Sequence, residues 1–320
     1  MRILAALVLG YYMVVGRVGA ELGAGSTNSP SLPTGMTSAA RSELDRALGV
    51  SLANEAQHGT SLAAPERRVT RGGRVVFIPE GCGSVAEPYD VVVHFHGAPP
   101  SLEPTFEKSE IGGVLAILNL GNGSGKYEDA FQLPGSFDDL LQRVSSVVAE
   151  MCPGASPELR RIALSAWSAG YGSVWRILDR PADADRVDAV LLSDGLHAGF
   201  EPDKKPQRVV NSAQMAAFTL FADRAVGGEK LMAITHSSIA TPYASTTETA
   251  SYLLQQQDVP RVTVNQPGPR PNMVLLSRAD RNGFHVRGFA GEDKPAHCDQ
   301  LHAMGDTLFP FLRERWSRAR

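Results

Sequence analysis

From about residue 71 to the carboxyl end, short apolar runs alternate with amphipathic stretches. Residues 74–78 (RVVFI), 90–95 (DVVVHF) and 114–120 (VLAILNL) are rich in β-branched and aliphatic residues and predict strands. Residues 137–151 carry Leu140, Leu141, Val144, Val147 and Val148 at helical spacing. A strand follows at 161–167 (RIALSAW), then a helix over 172–178 with Val174, Ile177 and Leu178 inward. The alternation continues with strand 188–193 (DAVLLS), helix 214–221, strand 230–235, helix 247–256, strand 272–277 and a closing helix over 301–316. Strands that are apolar throughout are buried on both faces, which requires helices above and below the sheet. The order therefore predicts an α/β domain: a doubly wound, mostly parallel sheet with helices on both faces. Sites in such sheets form beyond the carboxyl ends of the strands, so the residues directly after each strand carry the functional question.

The first 70 residues are patterned differently. Arg2 precedes an apolar run, 3–15, that is short for a bilayer span. Val18-Gly19-Ala20 supplies the small residues that a signal peptidase needs. Residues 1–20 read as a cleaved secretory signal, since Gly10, Gly16 and Arg17 interrupt the run and disfavour a retained anchor. Residues 21–70, rich in Ser, Gly, Ala, Thr and Pro, read as a flexible linker with one short helix at 42–48. The folded body is then 71–320, in a secreted or periplasmic chain with no stable membrane span after cleavage.

Charge removes one class of partner. Lys plus Arg number 31 against 34 Asp plus Glu, a net of −3, so no basic excess exists to neutralise the phosphates of a nucleic acid. Three cysteines are too few for a disulfide framework, and no Cys-x-x-Cys pair exists for a structural zinc. Cys82 precedes the 90–95 strand and Cys152 the 161–167 strand, which places both at the sheet edge opposite the site. In an oxidising compartment they are expected to pair, leaving Cys298 free.

The strand at 161–167 runs into Ser168, with Ala169-Gly170-Tyr171-Gly172 opening a helix. A serine on a sharp strand-to-helix turn needs small residues two positions away on either side, here Ala166 and Gly170. Such a turn lifts Oγ clear of the backbone at a helix N-terminus, where the Ala169 amide can face a developing oxyanion. The sequence A-W-S-A-G at 166–170 resembles the G-x-S-x-G elbow of the α/β-hydrolase superfamily, with Ala166 in place of the first glycine. The resemblance extends over residues 71–320 in strand order and is specific around Ser168, His96-Gly97 and His297. It implies an α/β-hydrolase-like fold and a serine hydrolase of the esterase or lipase type. The expected substrate is a small-molecule or polymeric ester, and no cofactor is implied.

That superfamily places a similar His-Gly after the strand whose loop gives the second oxyanion amide, and the 90–95 strand ends in His96-Gly97-Ala98-Pro99-Pro100. Phe95, Gly97 or Ala98 can supply the amide, with Ala98 the first choice. His94 and His96 share one face of the strand, but no third ligand follows at a recognisable spacing, so no metal site is expected. The acid is expected at Asp194, after the 188–193 strand, with Glu248 and Asp280 as alternatives. The base is expected at His297, on a loop before the closing helix, whereas His285 falls in a strand or hairpin and His302 inside the helix. Ser168, Asp194 and His297 keep the chain order of the superfamily.

His96, Gly97, Trp167 and Tyr171 are expected to bind substrate. Tyr127, Phe131 and Trp167 add aromatic surface beside a flexible wall at 121–126 (GNGSGK), whose spacing is not that of a phosphate loop. Tyr243, Ser245, Thr246 and Thr247 form a polar loop, either substrate-recognising or simply solvated. The competing class is a secreted binding protein that keeps the fold without turnover, which the Ala166 departure leaves open.

Overall fold

The structure, a computed structural model, describes residues 68–71, 74–204 and 206–318. The expected signal at 1–20, the short helix at 42–48 and the linker as far as residue 67 lie outside the described residues. The strands are β1 (Arg68–Arg71), β2 (Arg74–Phe77), β3 (Tyr89–Phe95), β4 (Val114–Leu118), β5 (Leu159–Trp167), β6 (Val187–Ser193), β7 (Leu231–His236), β8 (Val262–Pro267), β9 (Val274–Arg281) and β10 (Phe284–Phe289). They form one sheet in the order β1-β2-β4-β3-β5-β6-β7-β10-β9-β8. From β4 to β10 every neighbouring pair is parallel. The ends, β1-β2 and β9-β8, are antiparallel.

The helices are α1 (Pro99–Lys108), α2 (Ser124–Ala130), α3 (Ser136–Met151), α4 (Tyr171–Leu178), α5 (Pro181–Arg186), α6 (Ser212–Val226), α7 (Thr246–Gln256), α8 (Lys294–His302), α9 (Met304–Thr307) and α10 (Phe309–Arg318). β3 and β4 are buried at every position, and successive residues serve opposite cores. Val91, Val93 and Phe95 pack with Leu140 and Val144 of α3, Ile177 of α4, Phe218 of α6 and Leu253 of α7. Val92 and Leu115 face the other way, onto Leu102 and Phe106 of α1, Leu301 of α8 and Leu312 of α10. A sheet with apolar side chains on both faces needs this double cover. The result is a doubly wound, mostly parallel α/β fold. Among the described residues no helix is long and apolar enough to cross a membrane.

Three expectations are corrected. The sheet begins at Arg68, within the stretch assigned to the linker, because Val69 and Thr70 pair with Val76 and Val75. Residues 272–277 do not form the last parallel strand: β9 pairs antiparallel with β10, and β10 is the parallel partner of β7. β9 leaves one side exposed, so its apolar start reads like a buried strand although its place is near the edge. The closing helix over 301–316 is three pieces, α8, α9 and α10. Pro310 has no N–H to bond back one turn, so a continuous helix is interrupted there.

Cys82 and Cys152 form a disulfide with their Cα atoms 5.3 Å apart, and Cys298 is free. The bond ties the turn before β3 to the end of α3, away from the carboxyl ends of the strands.

Candidate active site

Three non-glycine residues with left-handed backbone stand directly after three neighbouring strands. They are His96 (φ 67°) after β3, Ser168 (φ 50°) after β5 and Asp194 (φ 42°) after β6. Such conformations cost of order 1–3 kcal/mol each and persist only where the surroundings impose them. Here the turns press on one another. A Cβ on Gly170 would lie 2.1 Å from the carbonyl oxygen of Phe95, and one on Gly195 would lie 2.6 Å from the backbone N and O of Ser168. Ala166, where the resembling elbow has glycine, keeps its methyl fully buried in the core. The close crossing therefore constrains Gly170 alone.

Asp194 is 1% exposed and meets His297, its Oδ2 2.7 Å from the imidazole Nδ1. Three further donors converge on the carboxylate. Ser237 gives its amide to Oδ1 at 2.9 Å and its hydroxyl to both oxygens at 2.9 and 2.8 Å, while Thr246 Oγ1 donates to Oδ1 at 2.7 Å. Burial alone would raise the Asp194 pKa. The hydrogen bond and charge of His297, helped by Thr246 and Ser237, outweigh it and hold the carboxyl below its ordinary value. An ionised Asp194 makes Nδ1 the protonated nitrogen of His297, so Nε2 carries the lone pair.

His297 lies in the first turn of α8 rather than on a loop before a helix. Asp293 caps that helix by accepting the Ala296 amide at 2.9 Å, and Pro295 sits in the first turn. A cavity of about 290 Å³ opens at the carboxyl ends of the strands, lined by Ser168, Asp194, His197, Tyr243, Thr246 and His297 among others. A larger one, of about 740 Å³, opens at the opposite ends beside Arg161, Asp188, Leu231 and Gly283. Charged groups there are engaged with each other, Arg161 with Asp90 and Arg315 with Asp188. Volume is a poorer guide than the strand ends, and only the smaller cavity joins an activatable hydroxyl to a histidine–carboxylate pair.

The alternative acids are accounted for elsewhere. Glu248 pairs with Arg208 through two bonds of 2.9 Å and closes a capping box with Ser245. The Arg208 bond is the main reason that its pKa falls to about 2. Asp280, inside β9, binds His285 and Arg287, each at 2.7 Å. Neither reaches His297.

The expected substrate-binding residues are redistributed. His96, Gly97, Trp167 and Tyr171 do not line the 290 Å³ cavity. Trp167 stacks with both His96 and His297, and Tyr171 meets His197 edge-on, which in turn meets Tyr243. Tyr127 and Phe131 are fully buried, and the segment at 121–126 leads into α2, which packs on the helix after Ser168 instead of forming a wall: a Cβ on Gly172 would lie 2.7 Å from the Ser124 carbonyl oxygen. The polar loop splits. Tyr243 and Thr246 line the cavity, Ser245 caps α7, and Thr247 Oγ1 donates to the Ser237 carbonyl at 2.6 Å. Sequence reasoning missed Ser237 and His197 as parts of the site; their one signal was a place just after β7 and β6.

His94 is fully buried. Its Nε2 lies 2.8 Å from the His96 carbonyl oxygen, which makes it the donor there, and its Nδ1 accepts from Ser165 Oγ at 2.9 Å. Both ring nitrogens are thereby used within the chain, and burial lowers its pKa to about 3. In the loop after β3, Pro99 and Pro100 open α1 without N–H groups, so Gly97 and Ala98 hold the donors there. The His96 amide is already given to Leu118 O at 2.9 Å.

No family model matches the chain, and no curated protein matches it in sequence. Among solved structures it is similar to a protein from Thermus thermophilus, with 21% identity and a TM-score of 0.34 over 77% of this chain and 94% of that one. It is also similar to an α/β-hydrolase-fold protein of unknown function (14% identity, TM-score 0.40, 77% and 92% covered). An acetyl xylan esterase from Aspergillus awamori gives 13% identity and a TM-score of 0.38 over 74% and 93%. Likenesses at this level say nothing of chemistry.

Proposed function

We propose that this chain is an exported serine hydrolase that cleaves an ester by acyl transfer to water. The observation that carries the reading is the buried Asp194 carboxylate 2.7 Å from His297 Nδ1, with Ser168 on a left-handed turn in the same cavity. Ser168 Oγ attacks the acyl carbon while His297 Nε2 takes its proton and then returns it to the leaving alcohol. Water, activated by the same nitrogen, attacks the acyl-serine, and the proton goes back to Ser168. Asp194 fixes the tautomer and balances the imidazolium. The Ala98 and Ala169 amides receive the oxyanion. A cavity of about 290 Å³ favours a compact acyl group. Export is supported by the Cys82–Cys152 bond, since such bonds persist in oxidising compartments; cleavage after residue 20 rests on the sequence alone.

The test is labelling with a fluorophosphonate probe followed by peptide mapping. Rapid modification of Ser168, absent in Ser168→Ala, is expected, together with loss of short-chain ester cleavage in that variant. A folded wild type that neither labels nor cleaves any ester sinks the reading in favour of a binding protein. Mass spectrometry of exported material finding an intact Met1 would count against the signal assignment.

A further inference from the structure

Trp167 ends β5, one residue before Ser168, and its indole lies in a series of rings. The His297 imidazole stacks on it with centroids 4.7 Å apart and planes 29° apart. His96 also stacks on the indole, at 5.0 Å and 7°. His96 is held in turn by Tyr127, whose hydroxyl is 2.9 Å from His96 Nδ1 and whose ring meets the imidazole edge-on. The Trp167 Nε1–H also donates to the His297 carbonyl oxygen at 3.0 Å.

We propose that Trp167 is the positioning residue for the base, clamping His297 by its ring face and by its backbone. The proposal rests on the hydrolase reading of the same site. Its logic is geometric. The contact between Asp194 and His297 Nδ1 fixes one point and the tautomer, but leaves the imidazole, tethered only through Cβ, free to turn about that contact through its side-chain torsions. That turn moves Nε2, the atom that must reach Ser168. A stacked plane removes this freedom, and the bond to the His297 carbonyl ties the first turn of α8, already capped by Asp293, to the end of β5. Because Trp167 adjoins Ser168, one strand end presents both the nucleophile and the surface against which the base rests. The indole face also attracts the imidazolium formed during transfer. Other charged or titratable groups around this ring are Asp194, His96 and, at the cavity, His197, Glu292, Asp293 and Lys294.

The test compares Trp167→Phe, which keeps a stacking ring but loses the N–H, with Trp167→Leu, which loses both. Trp167→Leu is expected to lower kcat on the order of 10²-fold, the cost of a base displaced by about 1 Å. KM should stay within about twofold, because Trp167 does not line the cavity, and Trp167→Phe should recover most of kcat. A second readout needs no activity: the Trp167 part of the emission, wild type minus Trp167→Phe. At fixed pH, with His96 left in place, it should change in His297→Ala, because the stacked imidazole is removed from the indole. A folded Trp167→Leu with wild-type kcat, an effect on KM alone, or an emission difference indifferent to His297→Ala would each overturn the proposal. If wild type neither labels nor cleaves esters, the hydrolase reading fails, while the emission experiment still decides whether the clamp exists.

Discussion

Gly170 and Ala166 flank Ser168 symmetrically in sequence, yet the structure gives them unequal burdens, and two single substitutions expose the difference. Gly170 has an ordinary right-handed backbone (φ −62°, ψ −19°), so conformation permits any residue there. Space does not. A Cβ would lie 2.1 Å from Phe95 O, 2.6 Å from Phe95 C and 2.9 Å from Phe95 Cβ. The first two contacts are backbone atoms of β3, a strand paired on both sides, so relief requires the strand end or the serine turn to move by about 1 Å. Overpacking of this kind costs typically 1–3 kcal/mol, or roughly 2–4 °C of Tm per kcal/mol for a body of this size. The same movement displaces Ser168 from the His96-Gly97-Ala98 loop, which a 1 Å error makes worth about 10² in rate. Ala166→Gly removes one buried methyl, about 0.8 kcal/mol, and adds a glycine's backbone entropy, about 0.5–1 kcal/mol. It should therefore lower stability by about 1.5 kcal/mol and leave the rate within about twofold. Denaturant melts and fluorophosphonate labelling rates of the two variants separate stability from chemistry. If Gly170→Ala keeps both its melting midpoint and its labelling rate, the close crossing of β3 and the serine turn is not what shapes the elbow.

Asp194→Asn should lower kcat about 10⁴-fold by releasing the His297 tautomer, whereas Glu248→Gln and Asp280→Asn, bound to Arg208 and to His285 and Arg287, should stay near wild type on the same ester. Burial lowers the pKa of His236 to about 4 and of His94 to about 3. Their unfolded forms protonate near the usual 6.5, so stability is full above that value and falls as pH drops toward about 4, by about 2 kcal/mol per ring at pH 5. Urea melts at about pH 7.5 and about pH 5 that give equal free energies would show that these rings are not buried in the neutral form. Reducing Cys82–Cys152, which closes a span of 70 residues, should lower the stability of the folded chain by about 4 kcal/mol, without loss of Ser168 labelling while it stays folded.

What could be read from the sequence was what local spacing decides. The strand at 161–167, Ser168 and Gly170 form one continuous turn whose steric needs are written in adjacent residues. Asp194 sits in the same relation to β6. The central strands were legible because both faces are apolar. β9 was not, since a half-exposed strand near an edge can begin with apolar residues, and only its pairing with β10 tells it from a parallel one. His297 was chosen by chain order, but its place in the first turn of α8 depends on Asp293 accepting the Ala296 amide, a cap that the apolar pattern of 301–316 does not report.

Asp194 shows why a candidate site is harder to read than a fold. The end of β7 reads Thr235-His236-Ser237-Ser238 and carries no carboxylate. Judged alone, that stretch argues against a triad. In the structure the Ser237 amide and hydroxyl both point at Asp194, one strand away, and Thr246 adds a third donor from the start of α7. A buried carboxylate without such donors would be driven toward its neutral form and would cease to hold an imidazolium. The strand that lacks an acid thus supplies what keeps the neighbouring acid charged. Neither half of that arrangement is visible until β6 and β7 are paired, with Ser193 beside Thr235. Residue types at each strand end were legible, but the partnership between ends is a property of the sheet.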